Sequence, residues 1–140
     1  MKIPVIGSRG GRTRKMLRKF NPNPMKNRCG DCVIRALVAA SGKTWDEIYK
    51  ELCDIGFELK EMPNSKETYG KWLYRNGFKR VSFKAKKGTK RPKVYEMART
   101  GETIICDVAH HLVTVRDGDI WDTWDSSEKS LYAWWVKDDE

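Results

Sequence analysis

The stretch Asn27–Ala40, NRCGDCVIRALVAA, decides how the chain is read: a polar, glycine-containing turn runs directly into an apolar helix, with Cys32 at the junction. From Asp31 to Ser41 the residues Val33, Ile34, Leu37, Val38 and Ala40 cover nearly the whole circumference, and Gly42 supplies a stop. A helix that is apolar nearly all round is a buried one, so this segment is expected to be the central helix of its domain. Its first turn carries N–H groups without intrahelical partners and the positive end of the helix dipole, which stabilise a thiolate and lower the pKa of a cysteine placed there. The same N–H groups can donate to a developing oxyanion. Gly30-Asp31 adds turn and N-cap chemistry just ahead of Cys32. Against a nucleophile stands a plainer alternative, a small buried hydrophobe at the top of a helix, because free cysteine is often buried.

Downstream, Thr44-Trp45-Asp46-Glu47 has the spacing of a capping box and opens a second helix to about Phe57, with Trp45, Ile48, Tyr49, Leu52 and Cys53 expected on its inner face. Asn64–Arg75 predicts a third helix with Tyr69, Trp72 and Leu73 inward, closed by Asn76-Gly77. The period then changes. Phe78–Phe83 alternates weakly as a strand, and Lys84–Lys93 carries six basic residues among turn formers and reads as an exposed loop. Val94–Arg99 is expected as a short helix beginning after Pro92. Four further strands are expected at Thr103–Val108, His111–Arg116, Ile120–Trp124 and Leu131–Val136, and Asp117-Gly118 is a strong hairpin signal between the middle two. Helices first and strands second predict an α+β fold, a leading helix packed on a C-terminal antiparallel sheet.

The 140 residues, 39% hydrophobic with six tryptophans, suit one globular domain with a core of its own. No apolar run reaches the roughly 20 residues needed to span a bilayer, so no membrane partner is expected. The basic N-terminus lacks a following apolar stretch of the secretory type. Four cysteines in such a chain are expected as thiols in a reducing compartment. The charge is unevenly placed. Nine of the 28 basic residues lie in residues 1–28, which contain no acidic residue, and the remainder holds 19 basic against 19 acidic residues. Residues 1–26 are therefore expected as a basic, partly flexible arm in front of a domain spanning 27–140, with a short basic helix at Arg12–Phe20 stopped by Asn21-Pro22-Asn23-Pro24. Arg9, Arg12, Arg14, Lys15, Arg18 and Lys19 are its candidate contacts to nucleic acid or another polyanion, because clustered cations release counterions from phosphate. A solvated tail is the competing reading.

His111 opens the strand HLVTVR, where a sheet ladder can hold it facing a helix N-terminus. An imidazole there can take the thiol proton of Cys32 and leave a thiolate–imidazolium pair. With a hairpin centred on Gly118, Asp125 falls opposite His111 and Asp122 lies within reach of a bulge. Either carboxylate can fix the imidazole tautomer, and both remain candidates. His110 points to the opposite face and stays out of the site. A rival chemistry comes from Cys29-Gly30-Asp31-Cys32, which has the spacing of half a zinc site or of a redox pair. A zinc site would draw its other ligands from Cys53, Cys106, His110 or His111, and Cys29 can also regulate Cys32 by reversible disulfide formation. The Cys–His–Asp chemistry needs neither metal nor cofactor.

These residues carry a family resemblance. NRCGDCVIRALVAASGKTWDEIYKEL, followed by HHLVTVRDGDIWDTWDSS and a tryptophan-rich closing strand, resembles the small papain-like cysteine peptidases of phages and bacteria, relatives of the bacteriocin-processing peptidase domains, over roughly Asn27–Lys137. The resemblance implies Cys32 as nucleophile, His111 as base and Asp122 as orienting acid. It also implies an oxyanion glutamine six residues before the nucleophile. Lys26 stands there, and Asn27, one position nearer, is the available amide. The implied activity is a thiol hydrolase cleaving a peptide, isopeptide or amide bond of a peptide or protein substrate. The alternative is a catalytically silent papain-like binding module whose basic arm and Lys84–Lys93 loop contact nucleic acid or a phage particle.

Overall fold

A computed structural model describes residues 16–138. In order, these form β1 (Leu17–Lys19), α1 (Cys32–Ser41), α2 (Trp45–Leu59), α3 (Lys66–Arg75), β2 (Phe78–Ser82), α4 (Val94–Ala98), β3 (Ile104–Val108), β4 (His111–Arg116), β5 (Asp119–Asp122) and β6 (Ala133–Lys137). The fold is α+β. Its six strands make one sheet in the order β1-β5-β4-β3-β6-β2, antiparallel except for β1, which runs parallel to β5.

Central strand β3 is buried along its whole length, and its side chains divide two cores. Ile105 faces α1, α2 and α3, joining Leu37, Ile48, Leu52, Trp72, Leu73 and Leu112. Ile104, Cys106 and Val108 face the other way and pack with Val94, Met97, Val113, Val115 and Ile120. The period of two along a strand sets this split. Strand β4 obeys the same alternation and fastens α1 to the sheet. Leu112 packs among the helices, Thr114 Oγ1 donates to Ala36 O at 2.6 Å, and Arg116 Nη1 donates to Ala39 O at 3.2 Å. Helix α1 is buried from Val33 to Ala39, as its composition requires, and ends on Gly42 at φ 78°, whose N–H reaches Val38 O.

Helix α2 starts with the expected reciprocal capping box: Thr44 accepts from Glu47 N–H, and Glu47 accepts from Thr44 N–H. Its buried stripe is Ile48, Leu52, Ile55 and Gly56, at the helical spacing of one narrow face. Tyr49, expected inward, lies one step off that stripe, 45% exposed with its ring against Trp45. The helix runs two residues past Phe57 and closes with Lys60 in the left-handed region, where Glu61 N–H bonds Gly56 O and Lys60 N–H bonds Phe57 O.

Two expectations about the N-terminal segment are corrected. Arg12–Phe20 does not form a helix over its described part, since Leu17–Lys19 is strand β1, and residues 16–26 belong to the folded body rather than to an arm ending at 26. The physical reason is the open edge of β5. Ile120 N–H donates to Met16 O and Phe20 N–H donates to Asp122 O, both at 2.9 Å, so an extended segment satisfies ladder groups that a helix would leave exposed. The Phe20 ring meets Trp121 edge-on at 5.1 Å, and Asn23 is buried. The sheet is therefore not purely C-terminal and antiparallel. Arg9, Arg12, Arg14 and Lys15 lie outside the described residues.

Replacing Leu37, fully buried where α1 meets the sheet, by alanine is expected to lower stability by about 2–5 kcal/mol, measured as a shift in the urea unfolding midpoint.

Candidate functional site

Cys32 is the first residue of α1, and its thiol lies within hydrogen-bonding reach of His111 at the start of β4 and of the Leu112 backbone N–H. His111 Nε2 meets Asp122 Oδ2 at 2.7 Å, which leaves Nδ1 as the ring nitrogen facing the thiol. Asp122 is completely buried, and its carboxylate is fully engaged. Oδ2 also accepts from Ser126 Oγ at 2.8 Å, while Oδ1 accepts from Thr123 N–H at 2.8 Å and pairs with Arg35 Nη2 at 3.3 Å. The structure thus brings Cys32, His111 and Asp122 together.

Asp125 is not the partner of His111. The hairpin turn is Asp117-Gly118, both at positive φ (54° and 84°), and it pairs Arg116 with Asp119, Val115 with Ile120 and Thr114 with Trp121. That register is one residue tighter than a hairpin centred on Gly118, so extending it sets Trp124 rather than Asp125 opposite His111. Strand β5 ends at Asp122 instead of Trp124, because the Asp122 carboxylate binds Thr123 N–H and Ser126 and turns the chain. Asp125 lies in that turn, accepting from Ser127 N–H at 3.0 Å. The Trp124 ring packs against the imidazole, tilted by 40° with ring centroids 4.8 Å apart.

Behind these three groups is a layer that sequence reasoning missed. Asp31, read as an N-cap, makes no side-chain capping bond. Its carboxylate accepts instead from Arg35 Nη1 at 2.8 Å and Trp45 Nε1 at 2.9 Å. Arg35, with its side chain only 8% exposed, then bridges Asp31 to Asp122. The available signal was an arginine in an otherwise apolar helix, four residues after an aspartate, since a buried guanidinium requires carboxylates.

The electrostatics favour an ionised pair. Burial pushes the Cys32 thiol up, but the His111 and Leu112 hydrogen bonds, the imidazolium charge and the Arg35 charge together hold it below its ordinary value. Burial works against the His111 imidazolium, yet the hydrogen bonds and charges of Asp122 and Cys32 outweigh it and raise its pKa to about 9. Burial likewise opposes the Asp122 carboxylate, which the His111, Ser126 and Thr123 hydrogen bonds keep below its ordinary value.

Cys32 and His111 open onto a cleft of about 810 Å³ whose other wall is the N-terminal segment. Asn27 lines this cleft and is exposed, as are its neighbours Lys26 and Arg28. Lys26 takes φ 57° and donates from Nζ to Asn21 O at 3.0 Å. Lys19 also reaches the cleft, with Nζ on Thr123 O at 3.3 Å, whereas Arg18 faces away, stacked on Trp121 and paired with Asp119 at 3.3 Å. His110, expected on the opposite face, sits in the β3–β4 turn at φ 54° and borders the cleft as well. Cys29 and Cys32 are both free thiols, and Asn23 Nδ2 donates to Cys29 Sγ at 3.7 Å. Among the described residues, no group of three or more His, Cys, Asp or Glu side chains is placed to hold a metal ion, and no helix is long and apolar enough to cross a membrane. Cys106 is sealed in the core on the face of the sheet away from α1, where burial pushes its thiol far up.

No protein-family model, curated protein or solved structure matches this chain.

Two predictions follow from this geometry. Because the folded-state pKa of His111 lies above the unfolded value of roughly 6.5, its contribution to stability is full below that value and is lost as pH rises through about 9. An NMR titration is expected to place the imidazole near 9, to show a lower value in Asp122→Asn, and to show little change in Asp125→Asn. Arg35→Met, which removes the buried cation between two buried carboxylates, is expected to lose about 3–5 kcal/mol in urea unfolding at neutral pH.

Proposed function

We propose that this chain is a papain-like thiol hydrolase that cleaves a peptide, isopeptide or amide bond through an acyl-enzyme. One observation carries the reading: the Cys32 thiol, the His111 ring and the wholly buried Asp122 carboxylate form a continuous hydrogen-bonded chain at the mouth of a cleft. The arrangement of a cysteine heading a buried helix, with a histidine opening the strand packed against it, supports the papain-like assignment.

In this mechanism the Cys32 thiolate attacks the acyl carbon, and the carbonyl electron pair moves onto oxygen. The Cys32 backbone N–H, unpartnered within the helix, and the Asn27 side-chain amide are the proposed donors to that oxyanion. Collapse breaks the C–N bond, and the leaving amine takes the proton from His111 Nδ1. A water then gives a proton to Nδ1 as its hydroxyl adds to the thioester. Expulsion of the thiolate then releases the acid and leaves the thiolate–imidazolium pair as it began. Asp122 holds the ring and its charge throughout and takes no proton. Lys26, in the place where the family carries glutamine, turns its ammonium to Asn21 O, so the amide of Asn27 is the better-suited donor.

A second reading, a binding module for nucleic acid or a phage particle, draws on a different surface. Lys86, Lys87, Lys90 and Arg91 are exposed on the Lys84–Lys93 loop, and Arg91 stacks on the half-exposed Tyr132 at 4.6 Å. The two readings are compatible, since such a loop can hold a hydrolase at its target.

Iodoacetamide at pH 6–7 is expected to label Cys32 well ahead of Cys53 and Cys106, and His111→Ala is expected to slow that labelling at least tenfold. Equal rates at Cys32 and Cys53 overturn the hydrolase reading. For the second reading, oligonucleotide affinity is expected to fall steeply with salt and to weaken in Lys86→Gln/Lys87→Gln/Lys90→Gln. Affinity without salt dependence removes it.

A further inference from the structure

The walls of the cleft carry an unbalanced charge. Lys19, Lys26 and Arg28 all line it, and all three are exposed to its solvent. Among the described residues none of them has a carboxylate partner. Lys19 and Lys26 are instead tethered by backbone carbonyls, Nζ to Thr123 O at 3.3 Å and Nζ to Asn21 O at 3.0 Å, contacts that fix an ammonium in place without neutralising it. Asp31 is the one acidic residue of the lining, and both its oxygens are already taken by Arg35 and Trp45. Arg35 is in turn consumed by Asp31 and Asp122. The deeper charges therefore cancel among themselves, and three cations remain facing the space in which a substrate must lie.

The backbone supports a built arrangement. Lys26 is held at φ 57°, a left-handed region that strains a side-chain-bearing residue and that glycine would occupy without strain. A lysine there places an ammonium on the rim at a conformational cost. The segment carrying Lys26 and Arg28 is secured by Asn23, buried, which accepts from Met25 N–H at 2.8 Å and donates to Cys29 Sγ.

We infer that the cleft beside Cys32 selects an acidic peptide segment, binding glutamate or aspartate side chains next to the scissile bond through Lys19, Lys26 and Arg28. This rests on the hydrolase reading. It favours a peptide over a nucleic acid because the thiol at the end of the cleft attacks an acyl carbon, which a phosphodiester does not offer.

Three bromoacetyl peptides of equal size, carrying glutamate, glutamine or lysine beside the reactive group, test the inference on the full chain. In each, the Cys32 sulfur displaces bromide and forms a thioether. At low ionic strength the glutamate probe is expected to label Cys32 about tenfold faster than the lysine probe, and the preference is expected to shrink at about 0.5 M salt. Lys26→Glu/Arg28→Glu is expected to reverse the preference, a result that an unfolded variant would not give. Equal rates for the glutamate and lysine probes, with Cys32 still outpacing Cys53 on the glutamine probe, overturn this inference alone. A Cys32 no faster than Cys53 on the glutamine probe overturns the hydrolase reading and the inference with it. Stronger protection of Cys32 by a single-stranded oligonucleotide than by polyglutamate also overturns the peptide assignment.

Discussion

A guanidinium buried between two carboxylates is the constraint on which the rest of this structure depends. Arg35 projects from a helix that is otherwise apolar and joins Asp31 at its own N-terminus to Asp122 at the end of β5. An unpaired ion at that depth would cost several kcal/mol, so losing either carboxylate leaves the cation under-compensated, and the helix, which carries Asp31 with it, cannot rotate without breaking the pair to Asp122. The signs alternate from Asp31 through Arg35, Asp122 and His111 to Cys32. Each group in the series stabilises the charge of the next. The imidazolium and thiolate at the exposed end therefore inherit their polarity from a pair buried at the other end. Trp45 and Trp124 border this series, one donating to Asp31 and the other packed against His111.

Much of the fold was legible because its elements are locally consistent. Val33 to Ala39 could be nothing but a buried helix, Thr44 and Glu47 cap α2 as their spacing requires, and His111–Arg116 keeps the boundaries that its alternation implies. Strand β1 was not legible. Leu17-Arg18-Lys19 is too short and too basic to show a period, and it becomes a strand only because β5 presents an unpaired edge. Propensity yields to tertiary context there.

At the site, Cys32 and His111 were readable from helix-start and strand-start positions, whereas the choice between Asp122 and Asp125 turned on a single residue of hairpin register. Asp117 accepts a positive φ alongside Gly118, giving a two-residue turn, and that shift exchanges which side chains stand across from His111. Arg35 was passed over because a pattern of apolar residues makes one cation look like a solvated exception. Its i,i+4 spacing from Asp31 hints at a buried pair, but its second partner, Asp122, is brought over the helix only by β5. Lys19 and Lys26 of the cleft's cationic wall fall in the expected arm for the same reason: the contact that folds it back spans about a hundred residues of sequence.

The parallel pairing of β1 with β5 has a consequence for where this chain can be cut or joined to another. Residues 16–20 occupy the hydrogen-bonding groups of the last strand on that side of the sheet, and residues 21–30 continue as the rim above Cys32. Trimming the chain back to residue 26 uncovers the backbone of β5 and the face of Trp121, a template on which a second chain can add a strand. A shortened chain that begins at Asn27 is therefore expected to self-associate through the edge it has lost the means to close.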